Sequence, residues 1–180
     1  MPHPVHGLTQ RDGTSCGAAV AVVAGALLDP GHVGALTGPA GRVRFDAEQA
    51  RVHASVNRVW PRALGMTPAG LARAISAHSA ARGRRYRYRF RWGPGYRAGG
   101  VVAEAVAGAA AGWPVAMLVG RVLPRHWVLI IGVNGAALTC YEPSSGAVRE
   151  VTVEEVCKAQ IPGLGYPRPF AFVLPGPAVS

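Results

Sequence analysis

Acidic residues are scarce in this chain: 9 Asp and Glu stand against 19 Lys and Arg in 180 residues, a formal net charge of +10 at pH 7. That imbalance favours acidic partners or surfaces. Lysine is scarcer still, with Lys158 the only one. The excess of Arg, Ala, Gly and Pro has the look of GC-rich codon usage, so that part of the composition carries no functional information. Cysteine is sparse too: Cys16, Cys140 and Cys157 form no CxxC pair and leave at least one thiol unpaired, which argues against a disulfide scaffold or a four-cysteine zinc site. The run richest in apolar residues, Cys16 to Leu28, falls well short of the ~20 residues that a bilayer-spanning helix needs. "MPHPVHG" lacks a basic region followed by an apolar core, so no signal peptide is visible. A cytoplasmic protein is expected, or one delivered by a route that leaves no such signal. His3 and His6 read as an incidental terminal pair rather than a metal site, residues 1–7 as a flexible N-terminus, and no cofactor is expected. With no long polar tract, residues 1–180 suit a single domain able to bury a real core.

Helix and strand signals separate well. The apolar run 16–28 predicts a helix apolar on every side, hence central in the core, broken at Pro30 and Gly31. Phe45, Val52, Val56 and Val59 hint at a helix over 46–59. "TPAGLARAISAHSAARG" predicts another, with Thr67 as N-cap, Pro68 at the first helical position, Gly83 as terminator, and Leu71, Ile75 and His78 facing inward. In "RRYRYRFRW" the period falls to two: Tyr86, Tyr88, Phe90 and Trp92 alternate with Arg85, Arg87, Arg89 and Arg91. Arginines and aromatics on opposite faces suit an amphipathic strand with a solvated basic face better than a nucleic-acid platform. A helix over 101–111, strands at 115–119, in "HWVLIIGV", in "ALTCYEP" and in "PFAFVL", and a short helix opened by the Thr152–Glu155 capping box complete the pattern. Asn134-Gly135 is the strongest hairpin signal. Helices before residue 112 and strands after it indicate an α+β fold with segregated halves.

One cysteine stands where a polar, glycine-containing loop becomes a helix. Acyl transfer by a thiol needs a thiolate, a base that later serves as acid, a group orienting that base, and donors for the oxyanion. A helix N-terminus and a neighbouring imidazolium both favour a thiolate. Cys16 has the first feature. Gln10, six residues upstream, can bring its amide beside the thiol, and the Cys16 backbone N–H supplies a second donor. Among six histidines, His126 opens an apolar strand whose hairpin partner ends at Glu142. Counted from the Asn134-Gly135 turn, the two face each other within about one residue.

The loop "QRDGTSCGAA", the strand "GWPVAMLV", the hairpin "HWVLIIGVNGAALTCYEPSSG" and the helix "TVEEVCKA" together resemble the papain-like cysteine peptidases, in particular the C39 (double-glycine peptidase) and C39-like branch. The resemblance covers about residues 8–28 and 100–174. It implies a papain-like fold with a helical N-terminal half, whose central Cys-bearing helix packs on a C-terminal antiparallel sheet. It also implies Cys16 as nucleophile, His126 as general base and acid, Glu142 as orienter and Gln10 as oxyanion donor. Two positions depart from the family pattern: Ser15 and Glu142 stand where the family often has Asp.

The reading is a cysteine-dependent hydrolase acting on a peptide or isopeptide bond of a protein or peptide substrate that is itself acidic in character. The same machinery serves a transglutaminase or deamidase, including effector or toxin domains of that fold. The alternative of another class is an inactive basic module that binds nucleic acid or another acidic partner. Substrate-pocket residues are expected from segments 31–66 and 84–98, and Cys140 and Cys157 are read as structural.

Overall fold

The structure, a computed structural model, describes residues 3–56, 65–91 and 100–178. Helix α1, Cys16–Leu28, follows the apolar run, and every residue in it except Leu27 is buried. Its small residues let neighbours approach closely. A Cβ on Gly17 would stand 2.6 Å from Met66 Cβ and 3.2 Å from Trp127 Cδ1, and one on Gly25 would stand 2.8 Å from the His78 ring. Pro30 and Gly31 end α1 but also begin α2, Pro30–Thr37, because Asp29 accepts a bond from the Gly31 N–H at 3.2 Å and caps it. Proline fits the first helical turn, where its missing N–H has no partner to lose.

Helix α3, Gly41–Val56, begins five residues before the expected Asp46; the expected extension to Val59 lies outside the described residues. Helix α4, Pro68–Ser79, starts as read, with Thr67 accepting from the Gly70 N–H at 3.0 Å. A 3-10 turn then leads to Gly83 in the left-handed region (φ 75°). Leu71 and Ile75 are fully buried, and His78 is half-buried against α1.

The remaining elements are β1 (Arg84–Phe90), α5 (Val101–Ala110), β2 (Val115–Gly120), β3 (Pro124–Asn134), β4 (Ala137–Glu142), β5 (Ala147–Thr152), α6 (Val153–Lys158) and β6 (Arg168–Ala178). The strands form one six-stranded sheet, order β1-β6-β2-β3-β4-β5, with every neighbouring pair antiparallel. The chain is therefore α+β. Strand β5 has no counterpart in the sequence reading: charged Arg149 and Glu150 interrupt its apolar pattern.

The alternation of side chains along β3 divides the interior in two. Trp127 and Leu129 join Tyr86, Tyr141, Val173 and the buried sides of α1, α3 and α4. Val128 and Ile130 join Cys140, Phe172 and the buried sides of α5 and α6. On β1, Tyr86 is buried while Tyr88 and Phe90 are 45% and 48% exposed; Trp92 lies outside the described residues. The opposite face of β1 is not simply solvated, since Arg87 and Arg89 both pair with Glu104 of α5. Among the described residues, no helix is long and apolar enough to cross a membrane.

Candidate active site

The site begins at the N-terminus of α1. Ser15 precedes the helix but does not cap it: its hydroxyl donates to the Asp12 carbonyl at 3.0 Å and accepts from the Asp12 N–H at 2.9 Å. The Asp12 carboxylate in turn accepts from the Thr14 N–H and hydroxyl, at 3.0 and 2.8 Å. This closed loop presents Cys16 at the positive end of the helix dipole, with no side-chain cap from Ser15. Ser15 is 3% exposed and committed to the loop.

Helix α1 is registered against the sheet by Trp127, whose indole Nε1 donates to the Met66 carbonyl at 2.9 Å. With Met66 and Trp127 pressed against Gly17, the start of α1 is held beside the residue preceding Trp127, which is His126. There His126 Nε2 and Glu142 Oε1 are 2.7 Å apart, and both side chains are buried. The hairpin is not quite the one expected. Asn134 pairs with Ala137, so Gly135 (φ 59°) and Ala136 form the turn, and the register slips between Ile130 and Gly132. Continuing from Leu129↔Tyr141, Val128 stands opposite Glu142, and His126 lies one diagonal step away on the same face. Across that diagonal the Glu142 carboxylate reaches His126 Nε2.

Glu142 is unusually well supplied with donors. Besides His126, its oxygens accept from the Ser144 N–H (2.8 Å), the Ser145 N–H (3.0 Å) and the Ser145 hydroxyl (2.6 Å). Burial would raise its carboxyl, but the bonds from His126, Ser145 and Ser144 hold it well below the usual carboxylate range. Burial would also pull the His126 imidazole down; hydrogen bonds and charge from Cys16 and Glu142 outweigh it and push it up to about 9. With Nε2 committed to Glu142, Nδ1 is left for the thiol. The two other cysteines contrast with this environment. Burial pushes the Cys140 thiol up to about 12, and burial also raises Cys157, against a smaller pull from Arg91.

Gln10 arrives from a different direction. Residues 7–10 run beside the β4–β5 turn: the Gly7 N–H donates to the Gly146 carbonyl at 2.8 Å and the Gln10 N–H to the Pro143 carbonyl at 2.7 Å. The Tyr141 hydroxyl fastens the same segment through the Leu8 carbonyl at 2.6 Å. Nearby, Val5 is buried and His3 Nδ1 accepts from the Val5 N–H at 3.4 Å. The Gln10 amide donates to the Asp12 carbonyl at 2.8 Å, while its oxygen accepts from the Ser144 hydroxyl at 3.4 Å. One amide hydrogen then remains for a ligand.

Cys16, His126 and Gln10 line one cleft of about 750 Å³, with Glu142 behind the imidazole. All four residues singled out from the sequence are thus brought together. Of the segments expected to supply the pocket walls, residues 57–64 and 92–98 lie outside the described residues. Among the described residues, segment 31–66 contributes Gly65 and segment 84–98 nothing; the walls come from Arg121–Arg125, Ser144 and Tyr166. Strand β1 instead borders a separate cavity of about 650 Å³ against α4. Tyr166 also escaped the sequence reading. Its ring stacks on His126, with centroids 5.3 Å apart and planes at 29°. Left-handed Gly165 (φ 73°) and the preceding 3-10 turn deliver it there, and only that glycine hints at it in the sequence. Ser144 and Ser145 follow Glu142-Pro143 directly, a Ser-Ser-Gly turn whose donors point back at the carboxylate.

No family model matches the chain, and no curated protein is significantly similar to it.

Proposed function

We propose that the chain is a cysteine-dependent hydrolase of papain-like fold that cleaves a peptide or isopeptide bond. What carries the reading is the His126–Glu142 pair, 2.7 Å apart, in a cleft that His126 lines together with Cys16 and Gln10. His126 takes the Cys16 proton, giving an imidazolium–thiolate pair, and Glu142 fixes the ring and stabilises its charge. The thiolate attacks the substrate carbonyl. Negative charge collects on the carbonyl oxygen, where the Cys16 N–H and the free Gln10 amide hydrogen are the donors. His126 returns its proton to the departing amine, leaving a thioester. Water, activated by the same imidazole, releases the acid and restores the thiol. Proton transfer by a placed histidine contributes roughly a hundred- to ten-thousand-fold to such reactions.

Incubating the protein, and its Cys16→Ala variant, with a complex peptide mixture tests this by mass spectrometry. Hydrolysis predicts new termini that require Cys16. Glutamine residues heavier by about one mass unit, with no new termini, would make the chain a deamidase on the same machinery. No Cys16-dependent change would remove the enzymatic reading.

A further inference from the structure

The tip of the β2–β3 hairpin is left over once the machinery is assigned. Gly120 pairs with Pro124, and a Cβ on Gly120 would overlap the Leu123 carbonyl oxygen, so the turn closes as tightly as glycine allows. On this tip Val122 and Leu123 are 81% and 69% exposed, the most exposed large apolar pair in consecutive positions among the described residues. Arg121 and Arg125 flank them. Both are exposed, and neither has an ion-pair partner among the described residues. Residues 121–125 line the same cleft as Cys16 and His126, and its described walls carry no Asp or Glu.

Unpaired arginines beside a solvent-exposed apolar pair, at the mouth of a reactive cleft, form a composite recognition surface. The position has a direction as well. His126 must stand next to the leaving amine to protonate it, and Arg125 is its chain neighbour. The geometry points to a substrate whose leaving half carries an apolar side chain next to a carboxylate: Val122 and Leu123 cover the first, Arg121 and Arg125 hold the second. This inference rests on the hydrolase reading of the same cleft. One exposed ion pair adds little, so discrimination comes from the difference between substrates. A basic residue at the same place meets two like charges, and a small polar one leaves the apolar pair uncovered.

The test uses the Cys16→Ala protein and four fluorescent octapeptides, identical except for a central pair: Leu-Asp, Leu-Lys, Ser-Asp or Ser-Lys. Fluorescence anisotropy is expected to rank Leu-Asp tightest, roughly tenfold above both Leu-Lys and Ser-Asp. Its advantage over Leu-Lys shrinks as salt is added. Adding Arg121→Glu with Arg125→Glu reverses the charge preference. Equal binding of all four peptides, no measurable binding of any, or a charge preference that survives the double substitution would overturn the inference. Alkylation of Cys16 against pH in the otherwise unaltered protein separates the two levels. An activated thiol with no peptide preference defeats the tip alone, whereas the ranked preference with an unreactive thiol upholds the tip's selectivity and defeats the hydrolase reading beneath it.

Discussion

At the residue scale, Glu142 and His126 move in opposite directions, and the sign of each movement sets a pH window. The His126 imidazole is raised to about 9, so its contribution to stability is fully present below its ordinary value of 6.5 and is lost as pH rises through about 9. Glu142 is depressed, so its contribution is present above its ordinary value of 4.5 and is lost as pH falls through the lower folded value. Both act together between about 4.5 and 6.5. The melting-temperature gap between the natural protein and Glu142→Gln is therefore widest in that interval. It narrows towards pH 9 and towards strongly acidic solution; a gap independent of pH contradicts the ion pair. Cys16→Ala removes part of what raises the imidazole, so NMR titration should find His126 lower in that variant. Tyr166 is a positioning residue. Tyr166→Phe keeps the stacked ring and is expected to leave the pH profile of Cys16 alkylation in place, while Tyr166→Ala shifts it, consistent with the roughly 0.5–1.5 kcal/mol of a good ring contact.

At the scale of elements, two glycines do most to hold the site together. Gly17→Ala places a methyl group against Met66 and Trp127 and is expected to cost about 1–3 kcal/mol, read as a lower denaturation midpoint with an unchanged slope. Gly146 has φ 68°, and a Cβ there would stand 2.9 Å from the Gly7 carbonyl carbon. Gly146→Ala should therefore loosen residues 7–10, seen as faster hydrogen exchange at the Gln10 amide. These elements also show what the sequence made legible. Helix α1 and the start of α4 were readable because an unbroken apolar run and a Thr-Pro pair act locally. The Cys16, His126, Glu142 and Gln10 constellation was readable from order and spacing, as a family resemblance. The diagonal placement of Glu142 was not, because a slip between Ile130 and Gly132 and the exact turn residues depend on cross-strand packing. Strand β5 was hidden because Arg149 and Glu150, consecutive and both exposed on this edge strand, break its apolar alternation. The cleft walls were hidden too: Tyr166 and the 121–125 tip reach the site by way of the fold and lie far from Cys16 along the chain.

At the scale of the whole molecule, the net charge of +10 raises the rival reading of a basic nucleic-acid module. The distribution of that charge bears on it. Arg87 and Arg89, half of the arginines that alternate along 85–91, are held by Glu104 of α5. Glu104→Ala should free both guanidinium groups, giving later elution from heparin and a steeper salt dependence of polyanion binding, with no effect on chemistry at Cys16. If Glu104→Ala leaves heparin elution unchanged, that pairing does not restrain the basic face. Among the described residues, Arg121 and Arg125 at the mouth of the cleft have no ion-pair partner, and neither do Arg44, Arg73, Arg85, Arg149 and Arg168 elsewhere on the molecule. The central claim is that Cys16 is activated by His126, and the most direct measurement is the rate of Cys16 alkylation by iodoacetamide against pH, read by mass spectrometry, in the natural protein and in His126→Ala. The account predicts a rate that stays high below about pH 7, falls sharply without His126, and leaves buried Cys140 untouched. A rate that rises only near pH 8.5, or one that is the same in both proteins, would contradict it.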